Sequence, residues 1–370
     1  MIPHAPGTPL RTRAGELARG LARLGHDVDI YARNLQPRPL GLPAKLAWHA
    51  RELMRGVDER TIESRLTSVT LPTAHRGGRL LIPLVDRVST VLLSRRRYDA
   101  TVSSAYGGLT PRSGRYIYDL VDDHKAGSEH AGRPDEGSKA EAYVQREIRA
   151  ADQVTVSGLI LADLVRTKYG RNAHVIPNGA DVAAIRKATG EARGTGRSDT
   201  VSAVPVIAYI GGLDEFVRID LLVRAVQRMR RAGIEAQVSI VGEGPALRGW
   251  SAPPWVKVLG LRMPEEIPSL LNRFRIGVVP FELSPFTHAA LPLKVLEYGA
   301  ARMLCVSVPL AELKRQALPW VILSELDEVR WADTLAQALN EPWKPAWDAV
   351  VERFDWSVSA RRLAALALEA

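Results

Sequence analysis

At 370 residues the chain is long enough for two domains with separate cores, and its 46% hydrophobic and 25% charged content is that of a soluble globular protein. No apolar run reaches the ~20 residues that span a bilayer, and the nearest, 80–94, is broken by Asp86 and Arg87. The single cysteine, Cys305, excludes an internal disulfide. The first turns of sequence carry Arg11, Arg13, Glu16 and Arg19 and no apolar stretch, so no secretory signal is expected, and the expected compartment is the cytoplasm. The net charge of +9 is spread widely, with clusters at Arg95–Arg97, at Arg228, Arg230 and Arg231, and at Arg361 and Arg362. None is interleaved with aromatics as a single-strand nucleic-acid surface is. The expected partner is an anionic membrane surface or a polyanionic substrate, with no nucleic acid; a generally Arg-rich composition explains the charge equally well.

In chain order, short β-branched runs alternate with helical stretches, the pattern of parallel sheets covered by helices. A helix is expected over 12–24, strands over 27–32 and 67–71, and a helix near 80–94. Strands at 100–103 and 115–121 follow, then a helix at 137–150, a strand at 153–156, a helix at 158–169 and a strand at 174–176. The stretch 190–204, rich in Gly, Ser, Thr and charge, reads as an interdomain linker. Beyond it come strand 206–210, helix 219–232, strands 237–241 and 257–259, and helix 265–273. Strand 276–281 precedes a helix over 292–301, and strands 303–308 and 321–323 and helix 329–340 complete the alternation. A last helix, 357–369, stands apart. The expected domains are therefore 1–189 and 205–345, with 346–370 as a C-terminal segment.

Several stretches carry chemistry. Pro292 to Ala301 places a helix start after a strand, a ready site for phosphate. Lys294 and Glu297, three apart, share one helix face, so a cation for phosphate stands beside a carboxylate for a sugar diol; an ordinary surface pair fits too. Gly211 and Gly212 follow a strand and permit close approach of backbone to a diphosphate, or simply a tight turn. The same two readings hold for the turn Gly242-Glu243-Gly244-Pro245. Asp122, Asp123 and His124 end a strand in three polar groups that can orient or deprotonate a hydroxyl, or cap a turn. The stretch 78–97 is amphipathic and basic, suited to a membrane surface or to a core-facing helix.

Taken in order, Leu24 to Val28, Val175 to Asp181, Ile210 to Asp214, Val241 to Pro245 and Pro292 to Ala301 resemble glycosyltransferases of the GT-B fold. The similarity is to the large, mostly retaining family of bacterial mannosyl- and glucosyltransferases, with a flavour of teichuronic-acid-type cell-surface polysaccharide transferases. It implies an α/β architecture of two Rossmann-like parallel-sheet domains facing across a cleft, with a C-terminal helix crossing back to the first. It also implies that a nucleoside diphosphate sugar is the co-substrate, a UDP-sugar favoured over GDP- or dTDP-sugars, with no other cofactor and no metal. The acceptor would be a glycan, lipid-linked or small-molecule hydroxyl, reached with retention, in cell-surface glycan or secondary-metabolite biosynthesis at the inner face of the membrane.

Residue by residue, the resemblance assigns donor binding to Gly211, Gly212, Gly242, Leu261, Arg262, Thr287, His288, Leu291, Lys294 and Glu297, with Glu297 on the ribose hydroxyls. It places Asp122, Asp123 and His124 on the acceptor, with Gly7 and Thr8 in an acceptor-side loop. Three departures stand out. Where the family has an Arg after the first Gly and a Lys about five positions on, this chain has Gly212 and Val217, leaving Arg218 as the nearest cation. The family's earlier glutamate falls at Ala289. Of the first strand only Met1 and Ile2 remain, so either the true start lies upstream or this domain is built differently. A degenerate, non-catalytic subunit of a glycan assembly complex and a nucleotide-sugar 2-epimerase are the alternative expectations.

Overall fold

The computed structural model describes residues 12–33, 58–71, 96–104, 114–189 and 204–368. They fall into two compact units, Met1–Ser157 with Leu161–Ile176 and Ser357–Ala370, and Gly158–Ile160 with Pro177–Trp356. The chain leaves the first unit at Ile176, ahead of the 190–204 stretch expected to link the domains, of which 190–203 lies outside the described residues.

In the first unit, helix α1 (Arg13–Arg23) is capped by Thr12, whose side chain accepts from the Gly15 amide. It ends ahead of Gly25, whose φ of 98° turns the chain into β1 (Val28–Arg33). Strands β2 (Asp58–Glu63) and β3 (Leu66–Leu71) form an antiparallel hairpin, and β3 pairs in parallel with β1. Strand β2 has no counterpart among the expected elements. It is a charged, exposed edge strand, and that composition hides the alternation that reveals half-buried strands. A second sheet holds β4 (Ala100–Ser103), β5 (Arg115–Leu120), β6 (Gln153–Val156) and β7 (His174–Val175), all parallel and in chain order. Helices α2 (His124–His130), α3 (Pro134–Ala150) and α4 (Leu159–Tyr169) connect them. Helix α2 was not expected, because Gly127 and Ser128 have poor helix propensity; its cap, Asp123, nucleates it.

Helix α1 is tied to the second sheet by a buried ion pair. The Arg13 guanidinium donates twice to Asp119 on β5, at 2.9 Å each, and the Thr155 hydroxyl donates to the same carboxylate at 2.7 Å. Among the described residues β1 and β4 share no ladder, and a cavity of about 610 Å³ lies between them, lined on one side by Ala14, Leu17, Ala18 and Leu21 of α1. Met1 and Ile2, the expected remnant of a first strand, lie outside the described residues, as do Gly7, Thr8 and 78–95 of the basic amphipathic stretch. Of its flanking arginines, Arg96 is engaged with Asp29 and Glu59.

The second unit opens with helix α5 (Val182–Thr189) and is built on a six-stranded parallel sheet. Its strands are β8 (Val206–Ile210), β9 (Gln237–Val241), β10 (Val256–Gly260), β11 (Ile276–Val279), β12 (Leu304–Ser307) and β13 (Val321–Leu323). Their order across the sheet is β10-β9-β8-β11-β12-β13. Strands β8, β11 and β12 are buried at every residue, which is why they read as continuous apolar runs. Around them lie α6 (Ile219–Arg231), α7 (Ile267–Leu271), α8 (Pro285–His288), α9 (Leu293–Ala300), α10 (Ala311–Gln316), α11 (Glu328–Asn340) and α12 (Asp348–Glu352). Helix α13 (Trp356–Leu368) belongs from Ser357 onward to the first unit, where Arg115 at the start of β5 donates to the Leu366 carbonyl. Among the described residues no helix is long and apolar enough to cross a membrane.

The strand order reverses between β8 and β11, the place where open α/β sheets bind ligands at their carboxyl ends. Those two strands pair only at Ile207–Ala208 against Ile276–Gly277 and then part. The Tyr298 hydroxyl fills the split: it donates to the Ala208 carbonyl at 3.2 Å and accepts from the Ile210 amide at 3.1 Å. Gly277 makes room for it, since a Cβ there would overlap the Tyr298 ring. Tyr298→Phe leaves a buried amide and carbonyl without their partner and is expected to cost about 1–3 kcal/mol in a denaturant melt; a loss under a few tenths would mean the split closes by itself.

Candidate functional site

The crevice at the β8/β11 switch point is built from the exits of three strands and the start of α9. Strand β8 runs into Gly211, and β9 runs into Gly242, each with φ of 134°. A Cβ on Gly242 would collide with the Gly211 carbonyl, so these glycines let two strand exits pack backbone on backbone. Tyr209, fully buried on β8, donates its hydroxyl proton to the Gly212 carbonyl at 2.5 Å.

Lys294, the second residue of α9, enters this crevice. Its Nζ donates to the Tyr209 oxygen at 2.8 Å and lies over the rings of Tyr209 and Phe281, 4.2 and 4.8 Å from their centroids. A Cβ on Gly211 would stand 2.9 Å from that nitrogen, so the ammonium sits against bare backbone at the end of β8. Among the described residues no carboxylate reaches ion-pair distance of it. Desolvation brings the Lys294 amine down to about 7, against the upward pull of Glu297, Asp214 and Cys305. A cation held by aromatic faces and a neutral hydroxyl, at a helix start and a strand switch point, is a site matched to an anion.

The loop ahead of α9 is fixed by Asn178, which lies in the same unit. The Asn178 side-chain amide donates to the Leu291 carbonyl at 2.8 Å, while Leu291 itself is buried. Pro292 is the N-cap residue of α9. Thr287 and His288, assigned to donor binding by the resemblance, belong to the separate turn α8 ahead of that cap. Thr287 is 1% exposed, and its hydroxyl donates to the Glu282 carbonyl at 2.6 Å within a capping box formed with Ser284. It shapes the loop from inside. His288 accepts the Ala311 amide on Nδ1 at 3.1 Å, so the neutral ring carries its proton on Nε2.

Arg218, the nearest cation after the glycine pair, donates to Asp220 in two hydrogen bonds of 2.9 and 2.8 Å. That pairing draws the Asp220 carboxyl down to about 2. Val217 and Ala289, standing where the resemblance expects Lys and Glu, are buried apolar residues. Leu261 is exposed at the exit of β10, and Arg262 beside it faces Glu266 at 3.7 Å. Glu297 follows Lys294 by one helical step on α9.

In the first unit, Asp122, Asp123 and His124 lie just past the carboxyl end of β5. Asp123 accepts the Ala126 amide at 3.0 Å as the N-cap of α2, the capped-turn reading of this motif. Burial pushes the Asp122 carboxyl up to about 7, against Arg13 and helped by Asp123. Burial also pushes the His124 imidazole down to about 4, with Asp123 opposing. At neutral pH His124 is therefore uncharged and Asp122 is poised between its two states. Among the described residues no group of three His, Cys, Asp or Glu side chains gathers as a metal site would need.

Asn178 and Tyr298 lie within stretches that carry the resemblance but were given no side-chain role, and Tyr209 and Phe281 were not singled out from the sequence. An aromatic within an apolar strand run signals core and nothing else, and the bond from Asn178 to Leu291 joins residues far apart in the chain.

Residues 204–341 match the sequence profile of the family described as Glycosyl transferases group 1. No curated protein matches the chain in sequence. Among solved structures it is similar to sucrose-phosphate synthase from Thermosynechococcus elongatus, at 16% identity and a TM-score of 0.68 over 95% of this chain and 91% of that one. It is similar to a UDP-forming α,α-trehalose-phosphate synthase from Burkholderia xenovorans, at 13% identity and a TM-score of 0.66 over 97% of each chain. Anabaena HepE, solved with UDP and glucose, aligns over 99% of this chain and 97% of its own at 14% identity and a TM-score of 0.61. The chain thus has the α/β fold of the GT-B glycosyltransferases, and its second unit matches the glycosyl transferases group 1 family.

Proposed function

We propose that this protein moves a sugar from a nucleoside diphosphate donor to an acceptor hydroxyl. The observation that carries the reading is Lys294, an ammonium without a carboxylate partner among the described residues, held at the strand switch point beside Gly211 and Gly212. In this reading Lys294 and the backbone amides at the start of α9 take the charge that builds on the leaving diphosphate. Glu297 accepts from the ribose hydroxyls, and the Nε2 proton of His288 is the one that ring can offer to the donor. The acceptor oxygen bonds to the anomeric carbon as the bond to the diphosphate breaks. The acceptor proton passes to the leaving phosphate oxygen, with retention and without a metal or further cofactor. Asp122 and His124 serve the acceptor hydroxyl, while Asp123 shapes their turn. UDP is the favoured nucleotide, because a UDP-forming enzyme and a protein solved with UDP are among the similar structures.

The test is a thermal melt with UDP, GDP, ADP and dTDP. A ligand of the folded state at a hundred times its dissociation constant adds about 2.7 kcal/mol. A shift with one diphosphate, UDP above all, that disappears in Glu297→Ala is the expected result. Gly212, Val217 and Ala289 favour a second reading, a non-catalytic subunit of the same fold. Absence of a shift with all four nucleotides would select it.

A further inference from the structure

Where the resemblance expects an Arg and a Lys, this chain has Gly212 and Val217, and Arg218 is taken by Asp220. Among the described residues Lys294 is the cation that lies against the glycine turn at the end of β8, and the groups that hold it decide whether it faces an anion charged and in place. From its geometry we infer that Tyr209 is the positioning residue of the phosphate site, fixing the ammonium of Lys294 through a polarised hydroxyl and standing in for the absent basic residues. The inference rests on the donor reading above.

Three observations support it. The Tyr209 hydroxyl is oriented, because its proton goes to the Gly212 carbonyl at 2.5 Å, which leaves a lone pair for Lys294 at 2.8 Å. The Tyr209 ring stands 4.2 Å from the same nitrogen, so one side chain supplies both an acceptor and an aromatic face. Tyr209 itself cannot yield: it is fully buried on β8, and burial raises its phenol well above the ordinary range, so it stays neutral while Lys294 titrates. A carboxylate in this position would form an ion pair and compete with phosphate; a neutral hydroxyl holds the ammonium without neutralising it. Among the described residues the other groups that bear on Lys294 are Glu297 of its own helix, Asp214 after the glycine pair, and Cys305 on β12, and none of them hydrogen-bonds to Nζ. Because the Gly212 carbonyl is the hydroxyl's other partner, the same bond fixes the glycine turn that would face the diphosphate.

The experiment compares the full-length wild type with Tyr209→Phe in UDP titrations by calorimetry from pH 6 to pH 8. The phenylalanine keeps the aromatic face and removes the acceptor. Losing a hydrogen bond to a charged group is expected to weaken UDP by about tenfold at pH 6. Without the acceptor the amine sheds its proton at lower pH, so the ratio of the two affinities should widen to about a hundredfold at pH 8. The ratio cancels the titration of the phosphate itself. A purely structural role for Tyr209 would weaken UDP by a factor independent of pH, and that result, or unchanged affinity, overturns the inference. No UDP binding by the wild type would overturn the donor reading and this one together, whereas wild-type binding with a flat ratio removes this one alone. Should Tyr209→Phe fold poorly, 3-fluorotyrosine at position 209 keeps every heavy atom of the side chain, exchanges one ring hydrogen for fluorine and weakens the acceptor, and the widening with pH should persist in smaller measure.

Discussion

Lys294→Met is expected to make the ligand-free protein more stable at pH 7 and to weaken UDP by about a hundredfold. The two effects have one cause. The Lys294 amine drops from the ordinary 10.5 to about 7 because its ammonium is desolvated between Tyr209 and Phe281. For a lysine depressed in this way the unfolded chain binds the extra proton between pH 7 and 10.5, so stability rises with pH across that window. Below pH 7 the full penalty is present, on the order of 2–3 kcal/mol once partial solvent access is allowed for. Methionine keeps the volume and the aromatic contacts without the charge. Calorimetric melts of both proteins should therefore differ most below pH 7 and converge toward pH 10. Bound diphosphate should reverse the order, since it compensates the ammonium in the wild type alone. A variant that melts lower at every pH and still binds UDP would show that Lys294 packs the fold and does not serve the site.

The second large effect is in the first unit. Arg13→Leu strands the Asp119 carboxylate, 2% exposed, with the Thr155 hydroxyl as its remaining partner in that bonded group. Breaking a buried pair from one side is expected to cost about 3–5 kcal/mol, read in urea as the unfolding of the first unit. Replacing both partners together, Arg13→Leu with Asp119→Leu, should recover most of the loss, because the penalty belongs to the uncompensated charge. If the single variant lost less than about 1 kcal/mol, solvent or a rearranged partner would have to reach Asp119.

The legibility of the chain followed burial. Strands β8, β9, β11 and β12 were placed by their apolar runs because parallel strands covered on both faces have no polar side to confuse the pattern. Strand β2 and helices α2, α5 and α10 were not, since an exposed charged edge and short helices held by their caps carry little periodic signal. At the site, Lys294 and Glu297 could be paired by helical spacing alone. Arg218 and Thr287 read differently in three dimensions because nearer partners, Asp220 and the Ser284 capping box, hold their side chains.

The sequence by itself determined the two runs of alternating strands and helices, the glycines at strand exits and the helix that carries Lys294, because each rests on local propensity and short-range spacing. Only the tertiary structure decided that Lys294 meets Tyr209, 85 residues away, that Tyr298 occupies the split between β8 and β11, and that Asn178 holds the Leu291 carbonyl. Those contacts depend on the order of strands across the sheet, and strand order is set by the packing of the whole unit, which no local window of sequence records.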